Sequence, residues 1–198
     1  MPPATIPPAG ARSDAETLVV AADVLHRGGV VAYPTESVYG LGCDPRNRDA
    51  VARLFAVKQR PPDRGVLLIA ANFDQIASYI ERDLVPFAAM ERVRASWPGP
   101  HTWVLPRSEA TPSWIARGQA GIALRVTAHP LAAALCLAFG GAIVSTSANR
   151  HADPPARSAA ATVAYFGSEI DLVIDGLAGG LERPTPIRDA ISGEYLRS

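Results

Sequence analysis

Two hydrophobic spacings alternate along the chain, and the switches between them predict its elements. Ser13 to Glu16 has the form of a capping box, and Leu18, Val19, Ala22 and Leu25 follow at helical spacing, so a helix runs to the stop at Gly28-Gly29. The apolar run Val30 to Tyr33 predicts a short buried strand. Pro34 ends it, because proline has no amide hydrogen for the next ladder bond. Thr35 to Gly42 then reads as a hydroxyl-rich loop at a strand's C-terminal end, where open α/β sheets place ligands. A second helix opens at Asn47 and Asp49, buries Val51, Leu54, Phe55 and Val57, and carries Lys58 and Arg60 at its far end. After a bend at 61–65, residues 66–70 form a strand, and 73–80 and 84–96 read as two amphipathic helices. Trp97-Pro98-Gly99-Pro100 breaks the pattern. Strands are expected over 101–105 and 121–126, and a helix over 130–139 begins on a proline. A strand over 142–145 runs into Thr146-Ser147-Ala148-Asn149, a polar loop covers 150–157, a helix lies near 158–166, and strands near 171–175 and 186–190 close the chain.

The order is not a strict strand–helix–strand repeat, since several strands are joined by loops alone. It predicts an α/β fold with an open, twisted, mixed parallel/antiparallel sheet and flanking helices. At 198 residues, with no internal repeat or linker, one domain over 13–198 is expected, preceded by a disordered Pro-rich arm at 1–12. Nineteen acidic residues balance nineteen basic ones, so no global field favours nucleic acid or an anionic membrane, and an anion site must be a local cluster. No apolar stretch approaches the roughly 20 residues of a membrane span, and the N-terminus lacks the basic start and apolar centre of a secretory signal. The expected location is the cytoplasm. Cys43 and Cys136 stand far apart with no zinc-ligand spacing, so a protein-held zinc is not expected.

Lys58 is the only lysine among 19 Lys and Arg residues. A compact ammonium does what a planar guanidinium cannot at a close-packed anionic site, although a solvated charge at a helix end would also be favourable there. Ser145-Thr146-Ser147-Ala148-Asn149 can bind phosphate, carboxylate or ribose oxygens, and is equally good turn and helix-cap chemistry. Arg125 lies in a strand otherwise made of Ile, Ala, Leu and Val, so it either reaches an edge or faces a pocket with an anionic partner. No dinucleotide fingerprint, Walker loop or nucleophile elbow is present, and the four histidines have no evident triad partners. Hydroxyl-rich loops and several cations without a nucleophile fit a site that binds a nucleotide and orients two substrates.

Pro34-Thr-Glu-Ser-Val-Tyr-Gly-Leu-Gly42, Lys58-Gln-Arg60-Pro61, Trp97-Pro-Gly-Pro100, Arg125-Val126, Ser145-Thr-Ser-Ala-Asn149 and Ile187-Arg-Asp-Ala190 form an ordered set. In that order and spacing the chain resembles the YrdC/TsaC-type threonylcarbamoyl-AMP synthases, in their single-domain bacterial form. The resemblance covers about residues 14–198. It implies a sheet around a large basic cavity, and formation of L-threonylcarbamoyl-adenylate and pyrophosphate from L-threonine, bicarbonate and ATP. That product feeds threonylcarbamoyladenosine modification of tRNA beside the anticodon, through a separate transferase complex. Thr35 would contact threonine, Arg125 its carboxylate and Ser145 the same end of the site. Tyr39 would shape the wall or serve the core. Lys58 and Arg60 would meet the ATP phosphates, and Ser147, Asn149 and Arg197 the nucleotide. Where many relatives have Lys-Pro-Leu after the lysine motif, Arg64-Gly65-Val66 stands here.

The implied mechanism is adenylyl transfer, with Mg2+ held mainly through the ATP phosphates. A second reading is an RNA-binding module in tRNA or rRNA maturation without its own turnover, or with weak tRNA binding beside it. The zero net charge and the lack of an aromatic–basic RNA motif speak against it. A third, a carbamoyl-adenylate enzyme using carbamoyl phosphate, as related domains in hydrogenase maturation do, would need further segments that this chain lacks.

Overall fold

The structure is a computed structural model, described for residues 4–6, 14–59, 65–150 and 153–197. Its strands are β1 (Ala4–Ile6), β2 (Val31–Pro34), β3 (Tyr39–Gly42), β4 (Leu67–Ala70), β5 (Thr102–Pro106), β6 (Gly121–Val126), β7 (Ile143–Ser147), β8 (Leu172–Ile174), β9 (Ile187–Asp189) and β10 (Tyr195–Arg197). The helices are α1 (Asp14–His26), α2 (Arg48–Val57), α3 (Phe87–Ala95), α4 (Ser113–Ala116), α5 (Pro130–Phe139) and α6 (Ala159–Phe166). The strands form one sheet in the order β1-β8-β2-β3-β7-β4-β6-β5-β9-β10. Pairings β1–β8, β2–β8, β4–β6 and β5–β9 are parallel and the other five antiparallel, which is the mixed sheet expected. Of the arm at 1–12, only Ala4–Ile6 falls within the described residues, as β1.

Side-chain alternation divides each strand between two cores. Val31 and Tyr33, Ile69, Ile143, Leu172 and Ile174 join Ala21, Leu25, Leu135 and Phe139 beneath α1 and α5. Ala32, Leu68, Leu124, Val144 and Val173 face the opposite way, into a larger core with Leu54, Phe55, Trp103 and Phe166. With both faces covered, the central strands are buried runs and not alternating ones. Local chemistry sets the helix ends: the Asn47 carboxamide oxygen accepts from the amides of Asp49 and Ala50, and Gly140 closes α5 at φ 80°, where a side chain would be strained.

Three expectations are corrected. Tyr39–Gly42 is a strand and not loop, paired with β2 on one side and β7 on the other. Its glycines had hidden it: a Cβ on Gly42 would lie 2.6 Å from the Val144 carbonyl oxygen and 2.9 Å from the Tyr33 ring, so the strand requires glycine where the sequence reads as a turn. Residues 73–80 contain only the 3-10 turn Ala77–Tyr79, because Ile80 turns extended (ψ 127°) and bridges to Arg107. Ser145 and Ser147 lie on β7 itself, which continues past the expected end at 145. The helices at 14–26 and 130–139, the Asn47 cap and the strand at 121–126 stand where the pattern placed them.

Candidate active site

The face of the sheet that α1 and α5 cover runs on, past their edge, into the floor of a cavity of about 730 Å3. Register lines that floor up: Leu67 stands opposite Ala123 on one side and Ser145 on the other, and Ile69 opposite Arg125. Because β6 alternates, Gly121, Ala123 and Arg125 share one side while Leu124 and Val126 enter the opposite core. The cavity also takes Thr35 and Ser37 from the β2–β3 turn, Ser147 and Asn149 from the end of β7, and Thr185 and Arg197 from the C-terminal segment.

Arg125 is 3% exposed. Its Nη1 donates to Thr185 Oγ1 at 2.6 Å and its Nη2 lies 3.5 Å from Glu36 Oε2. The other oxygen of Glu36 accepts from Thr127 Oγ1 at 2.7 Å and the Ala128 amide at 3.2 Å. The charge is therefore paired by a carboxylate whose own position is fixed, as a cation this deep requires. The sequence left open whether Arg125 reaches an edge or faces a pocket, and the structure places it in the pocket with an anionic partner.

The β2–β3 turn is stiff. Thr35 Oγ1 donates to the Val38 carbonyl at 2.7 Å, and the Thr35 amide reaches the same oxygen at 3.1 Å. The segment after β8 straps it from outside: the Gly179 amide donates to the Thr35 carbonyl at 2.8 Å and that of Leu181 to Glu36 at 3.3 Å. Tyr39 lines the cavity, but its ring is wholly buried in the core. Its hydroxyl donates to the Gly176 carbonyl at 2.7 Å and accepts from the Gly176 amide at 3.0 Å. Burial pushes this phenol up to about 12, so it remains neutral. Tyr39 thus serves the core with its ring and also lines the cavity. Ser145 is buried on the floor, beside Tyr33, whose hydroxyl donates to the Val144 carbonyl at 3.5 Å and whose ionisation burial strongly suppresses.

Lys58 is 5% exposed, which rules out a solvated helix-end charge. It caps α2, and its Nζ donates to the Ser147 carbonyl and, at 2.6 Å, to the Asn149 carbonyl, with Asn149 Oδ1 at 3.5 Å. The ammonium thus lies directly behind the turn whose front, Ser147 and Asn149, lines the cavity; Lys58 itself is not a lining residue. Ser147 Oγ donates to Asn149 Oδ1 at 2.5 Å, and Asn149 Nδ2 donates to the carbonyls of Arg150 and Asp153. Arg197 enters from β10, with Nη2 donating to the Thr185 carbonyl at 3.1 Å. Burial, and then the nearby Arg125, lower its affinity for its proton, as expected for two cations sharing one hollow. Arg60 lies outside the described residues, and so does Arg64.

Sequence reasoning missed Glu36 and Thr185 as parts of the site. Glu36 stood inside the Pro34–Gly42 motif but had no assigned partner, and Thr185 lies only two residues before the Ile187-Arg-Asp-Ala190 run. Among the described residues, no group of three or more His, Cys, Asp and Glu side chains could hold a metal ion, and no helix is long and apolar enough to cross a membrane.

A family model described as "Telomere recombination" (Sua5/YciO/YrdC) matches residues 23–198. The chain belongs to this family. Threonylcarbamoyl-AMP synthase of Halorhodospira halophila is 60% identical over 177 residues, spanning 89% of this chain and 92% of that protein. The Xanthomonas campestris protein of the same name is 50% identical over 180 residues, 91% of this chain and 96% of its own. Among solved structures, Sua5 of P. abyssi complexed with L-threonine superposes with a TM-score of 0.84 at 33% identity, over 90% of this chain and 52% of that one. This chain therefore corresponds to about half of that longer Sua5/YciO/YrdC protein, and to nearly the whole of the two bacterial ones.

Proposed function

We propose that this protein is a threonylcarbamoyl-AMP synthase, which joins L-threonine, bicarbonate and ATP into L-threonylcarbamoyl-adenylate and pyrophosphate. The observation that carries the reading is the single cavity in which a buried guanidinium, Arg125, stands across from a lysine-backed serine–asparagine turn. A buried arginine fork suits an amino-acid carboxylate. A turn of hydroxyl and amide groups with an ammonium behind it suits a nucleotide. The bacterial relatives at 50–60% identity support the same chemistry.

In this scheme Thr35, Arg125 and Ser145 hold threonine, with the cavity side of Tyr39 as its wall. Threonine's amine combines with bicarbonate to give a carbamate and water. A carbamate oxygen then forms a bond to the α-phosphorus of ATP as the bond to the β-phosphate's bridging oxygen breaks, and pyrophosphate leaves. Ser147, Asn149 and Arg197 hold the nucleotide, and Lys58 and Arg60 offset the phosphate charge. No protein nucleophile is needed, so the chain contributes orientation and electrostatic stabilisation. One oxygen of Glu36, the carboxylate beside Arg125, is committed to Thr127 and Ala128, and the other is buried 3.5 Å from that arginine without a hydrogen bond. Magnesium would accordingly be held through the triphosphate and water, where it neutralises charge. The product would pass to a separate transferase complex acting on tRNA in the cytoplasm. Mass spectrometry of a reaction with labelled threonine and bicarbonate tests the reading. A threonylcarbamoyl-adenylate carrying both labels is expected, and ATP turnover without that species would overturn it.

A further inference from the structure

Three segments that are distant in sequence meet on one guanidinium: Arg125 comes from β6, Glu36 from the β2–β3 turn and Thr185 from the segment before β9. Arg197, from β10, donates to the Thr185 carbonyl. We infer that Glu36 and Thr185 are positioning residues for amino-acid recognition: they hold the Arg125 guanidinium from two sides and leave its Nε edge for the carboxylate of threonine. The inference rests on the assignment of Arg125 to that carboxylate under the proposed function.

The geometry supports it in three ways. Arg125 Nε is buried and has no hydrogen-bond partner within the protein, whereas Nη1 is spent on Thr185 and Nη2 faces Glu36. A buried donor without a partner is costly, and an incoming carboxylate would satisfy it. The Glu36 contact is also long, 3.5 Å, because its other oxygen is tied to Thr127 and Ala128. Glu36 can thus neutralise and orient the guanidinium without occupying it as a bidentate partner at about 2.7–2.9 Å would. Finally, the Thr185 hydroxyl accepts from Arg125, so its own hydrogen is left for an acceptor, and Thr185 lines the cavity.

The test is Glu36→Gln, Thr185→Val and Thr185→Ser in the full chain, with KM for L-threonine and for ATP measured separately by pyrophosphate release, and urea unfolding as a control on folding. Glu36→Gln and Thr185→Val are expected to raise the threonine KM about tenfold or more, the scale of one hydrogen bond to a charged group, with the ATP KM within about twofold. Thr185→Ser keeps the hydroxyl and should bring the threonine KM back to within about threefold of the parent. A purely structural role would move both KM values together, or only kcat, and that result overturns the inference. Should Glu36→Gln not fold, the near-isosteric Thr185→Val still decides it. If the parent is active and both variants keep its threonine KM, this inference alone fails. If the parent shows no threonine-dependent turnover, the proposed function fails and the inference falls with it.

Discussion

Replacing Lys58 with methionine separates the clamp that the structure gives its ammonium from the phosphate role proposed for it. Nζ donates to the carbonyls of Ser147 and Asn149, the second at 2.6 Å, from a side chain that is 5% exposed. Hydrogen bonds to a charged group contribute about 1.5–3 kcal/mol each, so the two give an upper limit of about 3–6 kcal/mol. Ser147 is exposed and Asn149 half-buried, so water reaches part of what the deletion uncovers, and about 2–3 kcal/mol is the better figure. Urea unfolding should show that loss. Pyrophosphate release should fall by about 10²–10³, the scale of losing one preorganised charge-stabilising donor. Lys58→Arg keeps the charge but replaces a compact head with a wide fork between two closely spaced carbonyls, and should lose at least about tenfold. Unchanged stability in Lys58→Met would refute the clamp, and full turnover in Lys58→Arg would refute the argument from the solitary lysine.

Two further outcomes follow from packing and burial. A Cβ at Gly179 would lie 2.4 Å from the Glu36 carbonyl oxygen and 2.8 Å from its carbonyl carbon and Cα, all backbone. Gly179→Ala should therefore lift the strap off the β2–β3 turn and cost about 1–3 kcal/mol in urea unfolding, and a loss under about 0.3 kcal/mol would contradict that packing. Burial pushes the Cys136 thiol from 9.0 to about 12 and the Tyr39 phenol from 10.0 to about 12. Both are raised, so the stability they carry is fully present below about pH 9 and is lost as pH climbs from there towards about 12, where the unfolded chain ionises first. The urea midpoint should fall across that window, and a midpoint that is flat or rising would count against the burial of these groups.

How much of this was legible depended on whether the deciding contact was local. The helix over 130–139 and the strand over 121–126 were readable because a proline start and a nearly apolar run lie within the elements themselves. Arg125 stood out because a charge in a strand of Ile, Ala, Leu and Val must reach either water or an anionic partner. Ser147 and Asn149 were placed on one strand-end loop; Ser147 instead ends β7, and its hydroxyl donates to Asn149 just beyond it. The strand at Tyr39–Gly42 was not readable, since Gly42 is required by Val144 and Tyr33, residues outside the strand that pack against it. Thr185 and Glu36 gave no signal for the same reason: their partner Arg125 is 60 residues from Thr185 and lies on β6, far along the chain from the β2–β3 turn that carries Glu36. Lys58 stood out as the only lysine, yet that its ammonium would end on two backbone carbonyls could be learned only from the segment it supports.

The central claim is that one hollow grips an amino acid and a nucleoside triphosphate side by side so that they react without a protein nucleophile. Pyrophosphate release measured with each substrate omitted in turn tests it most directly. Release that requires L-threonine, bicarbonate and ATP together is the predicted result. Equal release without threonine, or none with all three present, would contradict it.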